Sequence, residues 1–439
     1  MKLYSTKNKG KLASLKEAVL KGLPEDNGLY MPVEIPRLPS GFLANLKQHS
    51  FQDIAFTVSS TLLQGVIPEA GLQQIVSESI NFPAPVVRLD DDKYVLELFH
   101  GPSLAFKDFG ARFMARLMSY FNQGEAQELY ILVATSGDTG GAVASGFYQA
   151  PGIRVVILYP SGKVSMLQEK QLTTLGHNVT ALEVDGTFDD CQDMVKQAFL
   201  DPELARHIRL SSANSINIAR LIPQAFYYFE AYKQLPDDGR ETVFCVPSGN
   251  FGNLTAGLLA QQMGLPVSHF IAGTNINDVV PAYLSSGLYS PRPSIRTLSN
   301  AMDVGNPSNF ARMLDLFAGS GEGSTWNNMH EVVSGFAFTD TQTRAAVVEV
   351  YDKYGYVIDP HGAVGYLALK TYQQSNSNTR GVILETAHPS KFLDDMEDIL
   401  GCAIEIPQRL AVLAEREKEA VLMPNDYPAL KRWLLDSLH

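Results

Sequence analysis

Lys107 has the strongest signal for covalent chemistry in this chain. It lies between Leu104 and Phe109 in the segment SLAFKDF, where apolar side chains surround it. Apolar surroundings disfavour the charged form of a lysine, and a neutral amine can attack a carbonyl carbon and form a Schiff base. For this segment alone, a lysine whose stem lies on apolar surface and whose ammonium reaches water is the better explanation. Two glycine-containing loops further along the chain reverse that preference.

The first of these loops is 135–140, which follows a predicted buried strand and precedes a predicted helix. In that position backbone N–H groups can bind an anion. The hydroxyls of Ser136 and Thr139, together with main-chain amides, could hold a carboxylate or a phosphate. An N-cap with permissive glycines, as in many strand-to-helix turns, is the alternative explanation.

The second loop, 248–253, is more specific. Its two glycines allow close backbone approach, and its two asparagines tolerate unusual dihedral angles and can donate hydrogen bonds. Its phenylalanine is unusual for a simple turn, the glycine spacing differs from a dinucleotide fingerprint, and no lysine follows as in a P-loop. The loop predicts a phosphate cradle for a small cofactor. Its residues are Ser248, Gly249, Asn250, Phe251, Gly252 and Asn253.

Thr386 and His388 follow the last predicted strand, 381–385. A hydroxyl at that position could donate to or accept from a ring nitrogen, although both residues taken singly are more often structural. His100, His361 and His388 show no metal-ligand spacing with cysteines or carboxylates, so no metal site is predicted.

The net charge of −12 disfavours nucleic acid and anionic membrane surfaces as general partners. The three cysteines are scattered and imply no disulfide framework, which fits a reducing compartment. No apolar run is long enough to cross a bilayer, and the N-terminal residues lack an apolar signal core. We expect a cytoplasmic protein.

Strands and helices alternate from about residue 129 to residue 272, and this pattern predicts mainly parallel sheets covered by helices. In such α/β folds ligands bind at the carboxyl ends of the strands. A helix is predicted over 109–121, just after Lys107, and a loop or lid over 285–309. We predict a mostly helical N-terminal unit of residues 1–87, a large domain of residues 88–110 and 236–439, and a small α/β domain of residues 111–235.

Taken together, the segments resemble the fold-type II family of pyridoxal-phosphate enzymes, the tryptophan synthase β group. Within it they are similar to the longer-chain threonine synthases of bacteria and fungi. Relatives such as cysteine synthases usually carry Asn where this chain has Asp138, and a more glycine-dense phosphate loop. The resemblance spans almost the whole chain and implies a two-domain α/β fold with an N-terminal unit. The matching segments are SLAFKD at 103–108, TSGDTG at 135–140, NSINIAR at 214–220, PSGNFGN at 247–253 and ETAHP at 385–389.

The resemblance implies that Lys107 binds pyridoxal phosphate as a Schiff base, that loop 248–253 holds the cofactor phosphate, and that Thr386 contacts the pyridine nitrogen. It also implies that O-phospho-L-homoserine and water are converted to L-threonine and phosphate. Arginine suits recognition of the substrate phosphate, although helix-surface charges or caps would explain the same residues. The implied substrate-binding residues are Ser136, Gly137, Asp138, Thr139, Ser215, Asn217, Arg220 and Arg112.

Two other functions stay open from the sequence. The first is a pyridoxal-phosphate-dependent serine or threonine dehydratase, which needs no second phosphate site. The second is a non-catalytic binding protein that kept the fold, against which the apolar setting of Lys107 argues. The protein is expected to be a monomer or a small homo-oligomer.

Overall fold

The computed structural model describes residues 1–135, 137–319 and 324–437. Its strands are β1 (Lys2–Ser5), β2 (Asn8–Ser14), β3 (Tyr30–Pro32), β4 (Val86–Arg88), β5 (Lys93–Glu97), β6 (Leu129–Ala134), β7 (Ile153–Pro160), β8 (Val179–Asp185), β9 (Arg209–Ser211), β10 (Glu241–Pro247), β11 (His269–Thr274), β12 (Val333–Ala337), β13 (Thr379–Glu385) and β14 (Val421–Pro424).

The α-helices are α1 (Leu15–Lys21), α2 (Ser40–Ala44), α3 (Phe51–Leu63), α4 (Glu69–Ser79), α5 (Lys107–Asn122), α6 (Asp138–Phe147), α7 (Met166–Thr173), α8 (Phe188–Leu200), α9 (Leu204–His207), α10 (Ile218–Leu221), α11 (Phe226–Gln234), α12 (Gly252–Gln262), α13 (Val279–Ser286), α14 (Phe310–Leu316), α15 (Ser324–Val332), α16 (Asp340–Tyr354), α17 (Pro360–Gln373), α18 (Leu393–Leu400), α19 (Gln408–Ala414) and α20 (Tyr427–Asp436). Short 3₁₀ helices lie at Leu46–Gln48, Ile222–Ala225, Asn300–Met302 and Pro389–Phe392.

A six-stranded sheet in the order β12-β11-β10-β13-β5-β4 forms the larger layer. Its neighbours are parallel except for β4, which pairs with β5 in the antiparallel sense. Every residue of β13 is buried, because helices cover both faces of the sheet. Burial on both faces explains the continuous apolar run at its centre, 381–384.

A five-stranded parallel sheet in the order β14-β8-β7-β6-β9 forms the second layer. Its edge strand β14 comes from the end of the chain and pairs with β8. The sequence-based division assigns 236–439 to the large domain, whereas this strand lies on the sheet built mainly from 129–211. The division itself stays a prediction.

The N-terminal unit carries α1 to α4 and also a three-stranded antiparallel sheet in the order β2-β1-β3, which the sequence analysis did not predict. The predicted helix 109–121 is present as α5, which begins at Lys107 itself. The helical stretch around Pro223 is divided into α10, a 3₁₀ turn and α11. Proline has no N–H to donate, which favours such a break.

The predicted loop over 285–309 is held in place by the Asp303 carboxylate. It accepts hydrogen bonds from Asn275 at 2.9 Å, Asn277 at 3.2 Å and the Thr297 hydroxyl at 2.7 Å. The loop is therefore tied to the segment that follows β11. Within the described ranges, no helix combines the length and apolar character needed to cross a bilayer.

Candidate active site

The predicted site loops meet at the carboxyl edge of the larger sheet. Strands β10 and β13 are parallel neighbours, with Cys245 opposite Ile383, so the loops that begin at Ser248 and Thr386 emerge side by side. The Phe106 N–H donates to the Thr386 carbonyl oxygen at 2.8 Å. This bond places the first turn of α5, and with it Lys107, beside the end of β13.

Lys107 is half-buried as the first residue of α5. No described residue hydrogen-bonds to its amine. Burial lowers the pKa of Lys107 to about 8; the charges of Lys391 and Arg220 lower it too, while Asp138 opposes the shift. A substantial fraction of the amine is therefore neutral close to physiological pH, which is the state that a nucleophile or proton acceptor requires.

The lowered pKa predicts how Lys107 reacts in the cofactor-free protein. Below pH 8 most of the amine is protonated and unreactive, so its labelling by an amine-selective reagent should rise with a midpoint at pH about 8. An unperturbed lysine has its midpoint at about 10.4. Mass spectrometry of the peptide containing Lys107 measures the midpoint, and a value near that of an unperturbed lysine would contradict the lowered pKa.

Loop 248–253 presents a row of donors ahead of α12. The backbone N–H groups of 249–254 donate to no acceptor in the described part of the chain. Asn253 accepts from the Tyr227 hydroxyl at 2.6 Å and the Tyr228 hydroxyl at 2.8 Å, while its buried Nδ2 has no described partner. Unsatisfied donors at a helix N-terminus favour a bound anion.

The backbone of this loop is specified by its residues. Phe251 has a φ of 59°, in the left-handed region. A Cβ on Gly249 would lie 2.6 Å from the Ala301 carbonyl oxygen and 2.8 Å from Met302 Cα, so only glycine lets the segment around residue 301 approach. The Ser248 hydroxyl donates to the Val246 carbonyl oxygen at 2.8 Å and is used within the loop.

Asn250 joins this loop to two others. Its Nδ2 donates to the Ser215 hydroxyl, and its Oδ1 accepts from the Ser308 N–H at 2.6 Å. Gly252 also lies close to the second of these segments, because a Cβ there would be 3.3 Å from Asn309 Nδ2. Ser215 is thus brought to the site, with its hydroxyl oxygen against the candidate phosphate cradle.

Thr386 completes the set of groups on the larger sheet. Only 7% of the residue is exposed. Its hydroxyl makes no hydrogen bond to the described residues, since the bond from Phe106 goes to its carbonyl oxygen. A free amine, a row of unsatisfied N–H groups and an unengaged hydroxyl fit the carbonyl, phosphate and ring nitrogen of pyridoxal phosphate.

The loop between β6 and α6 faces these residues from the smaller sheet. Thr135 Oγ1 accepts from the Gly137 N–H at 3.0 Å and the Gly140 N–H at 2.8 Å, so it shapes the loop itself. Gly137 has a φ of 142°, which side chains rarely adopt. Thr139 is half-buried and its hydroxyl has no described partner. Ser136 lies outside the described residues.

Asp138 makes contacts that the sequence did not reveal. Its Oδ1 lies 2.6 Å from Lys391 Nζ and accepts from Gln168 Nε2 at 3.0 Å. Burial alone would raise the pKa of Asp138, but the charges of Lys391 and Lys107 and these hydrogen bonds hold it well below its usual value. Lys391 follows the ETAHP segment at 385–389 by two residues, a proximity that could have marked it.

Arg220 is a buried cation without a carboxylate partner in the described chain. Its Nη1 donates to the Ala213 carbonyl oxygen at 2.7 Å, and its buried Nε has no described partner. A Cβ on Gly110 would lie 2.8 Å from that Nε, so the guanidinium packs on the first turn of α5. Burial lowers the pKa of Arg220 to about 10, and the group stays charged and able to bind an anion.

Two other predicted substrate-binding side chains are engaged by the protein. Asn217 caps α10, accepting from the Ala219 N–H at 3.0 Å, and donates to the Val19 carbonyl oxygen at 2.9 Å. Arg112 donates to the carbonyl oxygens of Glu78 at 2.7 Å and Ser79 at 3.1 Å. The amide of Asn217 and the Nε and Nη2 of Arg112 are therefore used within the protein, and the roles of both residues stay predictions.

Models of three protein families match the chain end to end. Residues 80–385 match the model of pyridoxal-phosphate dependent enzymes, 2–80 that of the threonine synthase N terminus, and 362–434 that of the threonine synthase C-terminal region. The chain belongs to the threonine synthase family. Membership confirms the prediction made from the matching segments.

Individual relatives agree over the full length. The threonine synthase of Serratia marcescens is 44% identical over 99% of both chains. The crystal structure of the Escherichia coli threonine synthase is 44% identical, with a TM-score of 0.90 over 100% of both chains. That of the pyridoxal-phosphate-bound threonine synthase of Brucella melitensis is 35% identical, with a TM-score of 0.94 over 99% of both chains. These relatives confirm the predicted fold class, lyase activity of the threonine synthase type, and cofactor.

Proposed function

We propose that this chain converts O-phospho-L-homoserine and water to L-threonine and phosphate at the residues described above. The observation that carries this proposal is the presence of two separate groups suited to anions. The backbone N–H groups of residues 249–254, in and just after loop 248–253, are unsatisfied. Arg220 offers a buried guanidinium without a described carboxylate partner. One suits the cofactor phosphate and the other the phosphate of the substrate.

Pyridoxal phosphate, when bound, supplies an electron sink for the negative charge that develops on the substrate. Lys107 would hold it covalently through Nζ, and loop 248–253 would hold its phosphate. Thr386 would hydrogen-bond its ring nitrogen as a neutral hydroxyl, and no carboxylate would be needed to protonate that nitrogen. This assignment is supported because the Lys107 amine, the N–H groups of 249–254 and the Thr386 hydroxyl make no hydrogen bonds to the described residues.

Lys107 also suits the proton transfers of the reaction. With a pKa of about 8 its free amine can accept a proton from the substrate's α-carbon and later from its β-carbon, and it can return a proton. No other base is proposed. The overall change is loss of phosphate from the γ-carbon and addition of water at the β-carbon.

The substrate is proposed to be bound from the smaller sheet. Arg220 would bind its phosphate, with Ser215 nearby, and loop 136–139 would bind its carboxylate or approach the cofactor's ring hydroxyl. Asn217 and Arg112 are kept as further candidates, acting through the elements that they hold in place. The amide of Asn217 and the Nε and Nη2 of Arg112 already bond to the protein, so these residues are weaker candidates than Arg220.

The test uses the purified protein loaded with pyridoxal phosphate and supplied with O-phospho-L-homoserine. We expect phosphate and threonine in equal amounts. An oxo acid formed from serine or threonine, without phosphate release from phosphohomoserine, would move the function to a dehydratase. A loaded protein that produces neither compound would leave only a binding role for the fold.

The surroundings of the reaction are part of the same proposal. We propose that the protein acts in the cytoplasm as a monomer or small homo-oligomer, and that neither nucleic acid nor a membrane takes part. The net charge of −12 supports the exclusion of nucleic acid and of anionic membrane surfaces, because a negative protein repels other polyanions.

A further inference from the structure

Lys391 is a buried lysine on the turn that follows Thr386, and the mechanism above gives it no part. Only 1% of its side chain is exposed, against 8% for that of its partner Asp138. Taking two charges out of water is costly and is repaid only when the pair is well bonded. Such a pair beside the reacting amine therefore calls for a functional explanation.

The contacts of Lys391 join three segments. Its Nζ lies 2.6 Å from Asp138 Oδ1 and donates to the Ser103 carbonyl oxygen at 2.9 Å. Asp138 begins α6 on the smaller sheet, Ser103 lies in the segment that leads into Lys107, and Lys391 follows β13 of the larger sheet. The ammonium therefore links the end of the larger sheet to the start of α6 and to the segment that leads into Lys107.

Two glutamines of α7 complete the network. Gln168 Nε2 donates to Asp138 Oδ1 at 3.0 Å, and Gln171 Nε2 donates to the Ser103 carbonyl oxygen at 3.1 Å. The Asp138 carboxylate and the Ser103 carbonyl oxygen, which both accept from Lys391, therefore each accept a further hydrogen bond from α7. The arrangement fixes Asp138 and Ser103 relative to each other, as a network that positions reacting groups must.

We propose that Lys391 is a positioning residue for the reaction, whose ammonium locks Asp138 and the Ser103 carbonyl together and thereby sets the placement and charge environment of the Lys107 amine. This inference rests on the proposed function, in which that amine transfers protons. It assigns no contact with the substrate to Lys391. The chemical role of the pair is to present a fixed, internally neutralised carboxylate beside the amine.

The test measures the labelling midpoint of Lys107 in the cofactor-free protein. The charged groups that act on this amine are Asp138, Lys391 and Arg220. Lys391→Met removes a cation and should move the midpoint to higher pH by roughly one unit. Asp138→Asn removes an anion and should move it to lower pH by a similar amount. The double variant should lie near the parent protein, a pattern that a purely structural role does not produce.

The loaded enzymes give a second readout. Each single variant should lose about tenfold or more in kcat/KM, and the double variant should lose less than the product of the two losses because the residues act as a unit. Lys431→Met is the matched control. It breaks the ion pairs of Lys431 with Asp201 and Glu203, both at 2.7 Å, on the surface of the same sheet layer, and it should change neither readout.

Several results would overturn the proposal. Midpoints that do not move in opposite directions, or kinetic losses that simply multiply, would show that the pair is not a unit. If Lys391→Met does not fold because an unpaired carboxylate is then buried, Asp138→Asn and the double variant decide the test: the proposal requires a lowered midpoint in the first and a midpoint near that of the parent protein in the second. Failure of the double variant to fold as well would make Lys391 a structural residue only. If the parent protein makes no threonine, the proposed function fails, but the labelling midpoints still decide the role of the pair.

Discussion

Replacing Lys107 with alanine should abolish threonine formation and phosphate release together. The variant lacks the amine that we assign both to covalent attachment of the cofactor and to proton transfer, so the loss of kcat should be at least about a thousandfold. Phosphate release and amino-acid analysis of the protein with added pyridoxal phosphate measure the effect. Residual turnover within tenfold of the parent would refute both assignments.

Two controls keep this result specific. Lys196→Ala removes a lysine of α8 whose side chain is 69% exposed, and it should leave kcat unchanged. Burial lowers the pKa of Lys107, so at neutral pH the charged amine is less favourable in the folded protein than in the unfolded chain. The cofactor-free Lys107→Ala variant should therefore be no less stable to heat than the parent protein. A large loss of thermal stability would mean that the amine has a structural role as well.

Replacing Arg220 with alanine should mainly weaken the use of phosphohomoserine. Its buried guanidinium is the group that we assign to the substrate phosphate, and charge-assisted hydrogen bonds of this kind contribute enough that kcat/KM should fall roughly ten- to hundredfold. The loss should appear chiefly in KM. Cofactor binding, followed by absorbance, should stay close to that of the parent protein.

A comparison of variants separates charge from packing at this position. Arg220→Lys keeps the positive charge and should retain more activity than Arg220→Ala, although it loses the planar fork of donors. Arg154→Ala removes an exposed arginine that pairs with Glu128, and it should have no effect. Equal losses of cofactor binding and substrate use in Arg220→Ala would place the guanidinium in the fold rather than at the substrate.

Local sequence was enough to predict the segments of the larger sheet that lead into the site loops, whereas its outer strands β4 and β12 were not predicted. The apolar neighbours of Lys107 and the glycines of 248–253 are contiguous in the chain, and their effects on charge and on backbone conformation act over a few residues. Helix α5 and the strands before the site loops follow from periodicity in the same way. The N-terminal sheet was missed because its hairpin strand β2 is mostly exposed and lacks an apolar pattern.

The predicted substrate side chains were harder to rank because capping and phosphate binding use the same residue types. Asn217 and Arg220 lie in one short motif, yet the first is consumed as a helix cap and the second keeps a buried, unpaired Nε. Capping also uses a buried carboxylate at the start of α17. The Asp359 carboxylate accepts from the N–H groups of His361 at 2.5 Å and Gly362 at 2.8 Å, and so caps α17.

The sequence by itself determined the family, the cofactor chemistry and the order of the site loops, because each of these is written in short contiguous segments. Only the tertiary structure decided which side chains share the site. The order of strands in the two sheets brings Lys391 to Asp138 and Arg220 to Gly110. Those pairs lie far apart in the chain. The packing of Arg220 on Gly110 and the attraction between Lys391 and Asp138 depend on distance and burial in the folded protein, which no local pattern encodes.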